Sequence, residues 1–190
     1  LFISIFSFNL FNNSNQANFN IATSIQIAGQ IETSQDQQNW VFLDVNKTIH
    51  PGDYIRTKSK NRLLIELDNG NSFRVDENTQ LQIVNRNEIN LDHGQIYIES
   101  SQQNPSSKLM IQTHLAEVNH IGTRYLVSLR NDKLDVAVRD GKVVINNDAG
   151  INEVDNGFEA SLNLSGEYQQ QPITSYDSKW EWTQKIAKSF

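Results

Sequence analysis

The sequence predicts an all-β fold: many short antiparallel strands in a sandwich or β-roll, followed by a short C-terminal helix. Three observations carry this. Apolar residues alternate with polar ones at period two from Ser24 onward, as in strands buried on one face. Dipeptides suited to tight turns recur between these runs, and no long stretch shows helical spacing before residue 178.

The elements follow in order. Ile25 and Ile27 flank Gln26, and Val41 and Leu43 flank Phe42. Leu63-Leu64-Ile65-Glu66-Leu67 runs into a turn at Asp68-Asn69-Gly70, after which Phe73 and Val75 flank Arg74. Further strands are expected at Ile96-Tyr97-Ile98, Leu109-Met110-Ile111, Tyr125-Leu126-Val127, Val136-Ala137-Val138 and Val143-Val144-Ile145. Asn69-Gly70, Asp140-Gly141 and Asn156-Gly157 suit the positive φ of hairpins, and Gly52-Asp53 and Asp92-His93-Gly94 are further turn signals. Trp40 precedes an alternating run and is expected to cap the core.

The two ends differ from the middle. Leu1 to Phe11 is mostly Leu, Ile and Phe, too short to span a bilayer alone, and reads as part of a signal-peptide core or membrane anchor. Asn12 to Asn20 reads as a linker, so residues 1–23 are set apart from an all-β domain at 24–165. Residues 166–190 read as a linker and a helix that begins a further module. Ser178 and Glu181 have capping-box spacing, and Trp182, Ile186 and Phe190 would share one face of that helix.

Composition narrows the chemistry. The 190 residues carry 16 basic and 22 acidic side chains, a formal charge of −6, with no basic block of the kind phosphate binding needs. Nucleic acid is therefore not an expected partner. The absence of cysteine removes disulfides, thiolate catalysis and Cys-ligated zinc together.

No catalytic, cofactor-binding or metal-binding residue is assigned. Four histidines, His50, His93, His114 and His120, lack the spacing of a metal site. Asp53, Asp68, Asp76, Asp92 and Asp140 sit near turns, where a carboxylate bonds its own backbone. There is no Gly-x-Ser-x-Gly elbow and no phosphate loop. Arg56, Arg74 and Arg124 are candidates for a recognition patch, with ion pairing to nearby acids the favoured reading.

A series of short motifs is more specific. Trp40 and Leu43 precede Gly52-Asp53-Tyr54-Ile55-Arg56-Thr57, then come Gly70-Asn71-Ser72 and Glu77-Asn78-Thr79 with Leu81. Leu91, Gly94 and Ile96 follow, then Thr113, Ala116 and Val118 leading to Gly122-Thr123, and finally Val136, Val138, Gly141 and Val143. In order and spacing this series resembles the FecR domain of bacterial signalling proteins, over roughly Ile27 to Leu162. One residue separates Gly70 from Ser72 where the family pattern has a Gly-Ser pair.

The resemblance implies a non-catalytic signal-relay domain in the periplasm of a Gram-negative bacterium, exported or anchored to the inner membrane. It implies a role in sigma-factor regulation through protein–protein contact. The implied partner is another envelope protein, the signalling domain of a TonB-dependent outer-membrane transporter. No cofactor is implied. Rival readings are an exported envelope-binding module that contacts glycan or peptidoglycan, a structural β domain and, third, a hydrolase such as a glycosidase, which would need paired carboxylates facing one cleft. The expected mode of contact is strand addition at an exposed sheet edge.

Overall fold

The structure is a computed structural model that describes residues 21–100 and 108–186. Leu1 to Phe11, the linker Asn12 to Asn20 and Phe190 lie outside the described residues. In chain order the strands are β1 (Ala22–Ala28), β2 (Ile31–Ser34), β3 (Val41–Phe42), β4 (Thr48–Ile49), β5 (Tyr54–Thr57), β6 (Arg62–Leu67), β7 (Ser72–Val75) and β8 (Gln80–Asn85). There follow β9 (Glu88–Glu99), β10 (Met110–Gln112), β11 (Glu117–Arg130), β12 (Lys133–Asn147), β13 (Gly150–Asp155), β14 (Phe158–Asn163), β15 (Tyr168–Pro172) and the helix α1 (Tyr176–Gln184). The all-β class and the short C-terminal helix are as the sequence predicts. Among the described residues all strand pairings are antiparallel except β9 with β10, which is parallel.

Three long strands organise the fold. β9, β11 and β12 each bend and pair with different neighbours along their two halves. One half of each joins a layer ordered β4-β1-β6-β7-β9-β11-β12-β14-β15. The other half joins a layer ordered β3-β2-β5-β8-β9-β10-β11-β12-β13. A continuous apolar core unites the two, with Leu63, Ile65, Phe73, Ile98, Tyr125 and Val136 from the first and Ile55, Leu81, Ile89, Ile111, Val118 and Ile145 from the second.

The bends explain two misread turns. Asp140-Gly141 does not end a strand: β12 runs through it, and Gly141 has φ +82°. It lies opposite a register shift in β11 between Ile121 and Arg124, where Gly122 also has positive φ. Asp92-His93-Gly94 likewise lies inside β9, at a shift in its pairing with β8. A bulge needs the same glycine conformations as a turn, so local sequence cannot separate them. The hairpin joining β11 to β12 is instead made by Asn131 and Asp132, with φ +51° and +54°, the two-residue turn that suits strand twist.

Candidate functional site

The motif residues converge inside the fold. The Thr57 hydroxyl donates to the Asp76 carbonyl at 2.6 Å and accepts the Thr79 N–H at 3.0 Å. The Thr79 hydroxyl accepts the Gln95 N–H at 3.0 Å. Gly94 sits against this knot: a Cβ there would stand 2.4 Å from the Thr79 Cα. Elsewhere the Thr113 hydroxyl donates to the Ala116 carbonyl and accepts the Leu115 and Ala116 N–H groups, closing a turn. Thr123 ties the bulge together, its N–H donating to Ser100 Oγ at 2.7 Å and its hydroxyl donating to the Lys142 carbonyl at 2.8 Å. These threonines are buried. They satisfy backbone groups that bends and bulges release from the ladder, so the motifs build the scaffold.

The arginines are paired as the sequence favours. Arg56 meets Glu32 at 2.6 Å, Arg74 meets Glu99 at 2.6 Å and Arg124 meets Asp140 at 2.9 Å. They lie on different strands and form separate pairs. Among the described residues no three His, Cys, Asp or Glu side chains gather as a metal site. His120 is buried and its Nε2 accepts the Leu109 N–H at 3.0 Å, so the neutral ring keeps its proton on Nδ1. Burial pushes its pKa down to about 4. His114 is exposed and bonds Asp132 at 3.1 Å.

Among the described residues, three surfaces stand out for contact with other molecules. The first is a tip. Trp40 does not cap the core; it is partly exposed, with the Arg56 guanidinium 3.9 Å above its ring and its indole N–H donating to the Gln37 carbonyl. Asp36 braces the same loop: it accepts the Asn39 N–H and side-chain amide, the Gln38 N–H and the Ser34 hydroxyl, which hold its pKa well below the usual carboxylate range. This rigid loop leads into Val41 and Phe42, each 62% exposed, where alternation had placed Val41 inside.

The second is an edge. β15 pairs only with β14 among the described residues, and its side chains are largely exposed. Backbone bonds from Asn163 to Glu167 and from Ile173 to Gly157 fix the ladder's phase. In an antiparallel pair hydrogen-bonded residues alternate, so Tyr168 and Gln170 present N–H and C=O outward.

The third is the outer face of the first layer. α1 begins at Tyr176, with Ser175 as N-cap and no side-chain cap bond, so Ser178 is not the cap: its hydroxyl donates to the Ser175 carbonyl inside the first turn. Trp180 and Trp182, which an isolated helix would expose, are 2% and 9% exposed. They pack on Tyr97, Leu126 and Ala137, three residues aligned across β9, β11 and β12. Trp180 meets Tyr97 edge-on at 5.6 Å between centroids. Arg74 Nε donates to the Ile186 carbonyl at 3.0 Å, and Lys179 pairs with Glu159. Burial works to raise the Glu159 pKa; hydrogen bonds from Lys179 and Gln171 outweigh it and leave it lowered. A glycosidase acid needs the opposite shift. Beside the helix lies an open cleft of about 560 Å³.

These features define an all-β scaffold whose recurring motifs serve its bends, with its open chemistry confined to surfaces. Residues 53–144, just under half of the chain, match the family model described as FecR protein. No curated protein matches the sequence significantly. Two crystal structures described as a "putative anti-sigma factor" from Parabacteroides distasonis ATCC 8503 share the fold. One, at 1.65 Å resolution, has TM-score 0.60 and 16% identity, covering 69% of this chain and 64% of that one. The other, at 2.50 Å, has TM-score 0.59 and 14% identity, covering 67% and 63%. The chain thus spans under two thirds of the length of these neighbours.

Among the described residues, no helix is long and apolar enough to cross a membrane.

Proposed function

We propose that the chain is the periplasmic signal-relay part of a FecR-like cell-surface regulator and acts by protein–protein contact without catalysis. The observation that carries this reading is the FecR match over residues 53–144, laid on strands whose motif residues are structural. The shared fold of the Parabacteroides proteins adds sigma-factor control as the output. The partner is the signalling domain of a TonB-dependent outer-membrane transporter. Residues 1–23 supply export or an inner-membrane anchor with its linker, 24–165 the FecR-type domain, and 166–190 the joint to a further module.

The contact is strand addition at β15. Its outward backbone groups at Tyr168 and Gln170 are offered on a segment without a charged side chain, and charged side chains are what usually discourage edge pairing. The test is capture of a transporter signalling domain by the full chain, beside a sigma-dependent reporter in cells. Gln170→Pro removes an outward N–H and no β14 bond, so it is expected to abolish capture while the fold persists. Capture that survives this change sinks the edge mode. No capture by any transporter signalling domain, with a reporter indifferent to deletion of the protein, sinks the relay.

A further inference from the structure

Two residues along each strand from the helix-covered row lies a second row. Gln95, Ser128, Asp135, Ser161 and Gln169 are register partners across β9, β11, β12, β14 and β15. They share the outer face with Tyr97 and Leu126, because side chains two apart on a strand point the same way. All five line the 560 Å³ cleft, whose wall is Ser178, Lys179 and Trp182 of α1. A cleft of this size falls within the range of small-molecule sites.

The chemistry of the cleft selects its ligand. An anion is disfavoured, because Lys133 already meets Asp135 at 2.8 Å and Lys179 already meets Glu159. An apolar ligand is disfavoured by a lining of amides, hydroxyls, the carboxylates of Asp135 and Glu159 and the ammonium groups of Lys133 and Lys179, beside Leu126, Ala160 and Trp182. Neutral ligands rich in hydrogen-bonding groups remain. The spacing separates two such classes. Neighbouring strands stand about 4.8 Å apart, well above the roughly 3.4 Å step of an extended peptide and close to the length of one sugar ring. Trp182 also has a buried indole N–H without an acceptor among the described residues.

We propose that this polar row binds a neutral β-linked oligosaccharide, one ring per strand, against the wall formed by α1. The site is separate from the β15 backbone edge and does not depend on the relay reading. Gln169 acts as an amide clamp at one end of the row, Gln95, whose Nε2 donates to Asp76 Oδ2 at 3.3 Å, offers its amide oxygen at the other, and Ser128 and Ser161 hydrogen-bond ring hydroxyls between them.

The test titrates the full chain with chitotetraose and with cellotetraose, following tryptophan fluorescence and binding heat. An extended Thr-Val peptide and inorganic phosphate serve as comparison probes. Saturable binding of at least one sugar is expected, weakened at least tenfold in Gln95→Ala/Gln169→Ala and abolished in Ser161→Trp, which fills the cleft. Circular dichroism of each variant separates lost binding from lost fold, and the exposed Gln169→Ala alone suffices if the others misfold. No saturable signal up to about 10 mM, which detects millimolar affinity, overturns the proposal. So does binding unchanged in the folded variants, or a cleft that takes the peptide or phosphate instead. Capture of a transporter signalling domain by the same variants reports separately on the relay.

Discussion

Two rows on one sheet face meet opposite fates. Tyr97, Leu126 and Ala137 lie under α1, whereas Gln95, Ser128 and Asp135, two residues away on the same strands, line an open cleft. Backbone and strand order are identical for both. The difference is side-chain chemistry alone: an apolar row gains by excluding water and recruits a helix with two tryptophans, and a polar row keeps its water. One face thus carries both a stabilising contact and a surface for ligands.

The strongest way to break this contrast is to remove the anchor. Trp180→Ala deletes an indole that is 2% exposed and leaves a hollow over Tyr97. The expected loss is about 3 to 5 kcal/mol, read as a lower denaturant midpoint. If α1 separates before the rest unfolds, the loss appears as an early phase in tryptophan emission. A midpoint within error of the wild type would show that the helix is not held by this row.

Acid sharpens the comparison between buried and open polar groups. His120 has its pKa lowered to about 4 by burial, against an ordinary 6.5. The unfolded chain therefore binds the extra proton first. Stability is full above pH 6.5 and falls as the pH drops toward 4, by about 3 kcal/mol for this ring. His120→Gln has no titrating ring and retains an acceptor for Leu109, so its stability should stay flat over that window relative to the wild type. Parallel curves for the two proteins would remove His120 as the cause.

Smaller again is the polar contact that pins α1. Glu159 is held in its charged form by Lys179 and Gln171, and its folded pKa is lowered. Its contribution is present above pH 4.5 and disappears as the pH falls through the lower folded value. Glu159→Gln removes the charge while preserving shape. We expect a loss of about 1 kcal/mol at pH 7, since the pair is only partly buried, and convergence with the wild type in strong acid. A loss that persists unchanged in acid would assign the effect to packing.

The layout of these rows marks the limit of what the sequence shows. Period-two alternation at Phe73 to Val75 and Ile96 to Ile98 is enough to place strands and the core they share, but not to show that Arg74 and Tyr97 between them are buried too, by α1 and the turn that follows it. The bends at Gly94, Gly122 and Gly141 leave the trace of turns, since the required φ is the same. The Asn131-Asp132 hairpin carries no glycine and passed unseen. The helix at Trp182 is legible, but α1 ends at Gln184 and leaves Ile186 in the turn beyond it; what covers the tryptophans depends on residues 43 to 85 positions earlier in the chain. The polar row is the extreme case: its five members come from five strands, and only the register unites them.

The least disturbing substitution is the most discriminating for that row. Ser161 lies between Asp135 on β12 and Gln169 on β15, on the outer face and only partly buried. Its hydroxyl supports no hydrogen bond to another described side chain or backbone group that would be orphaned by its loss. Ser161→Ala should therefore change stability by no more than about 0.5 kcal/mol. Ala137→Ser, the reverse chemistry on the covered row, buries a hydroxyl under the helix and should cost about 1 to 3 kcal/mol. Equal costs for the two would mean that water reaches both rows alike, and the contrast drawn from the cleft would fail. Unequal costs in the stated order tie each row's fate to the water it excludes or keeps.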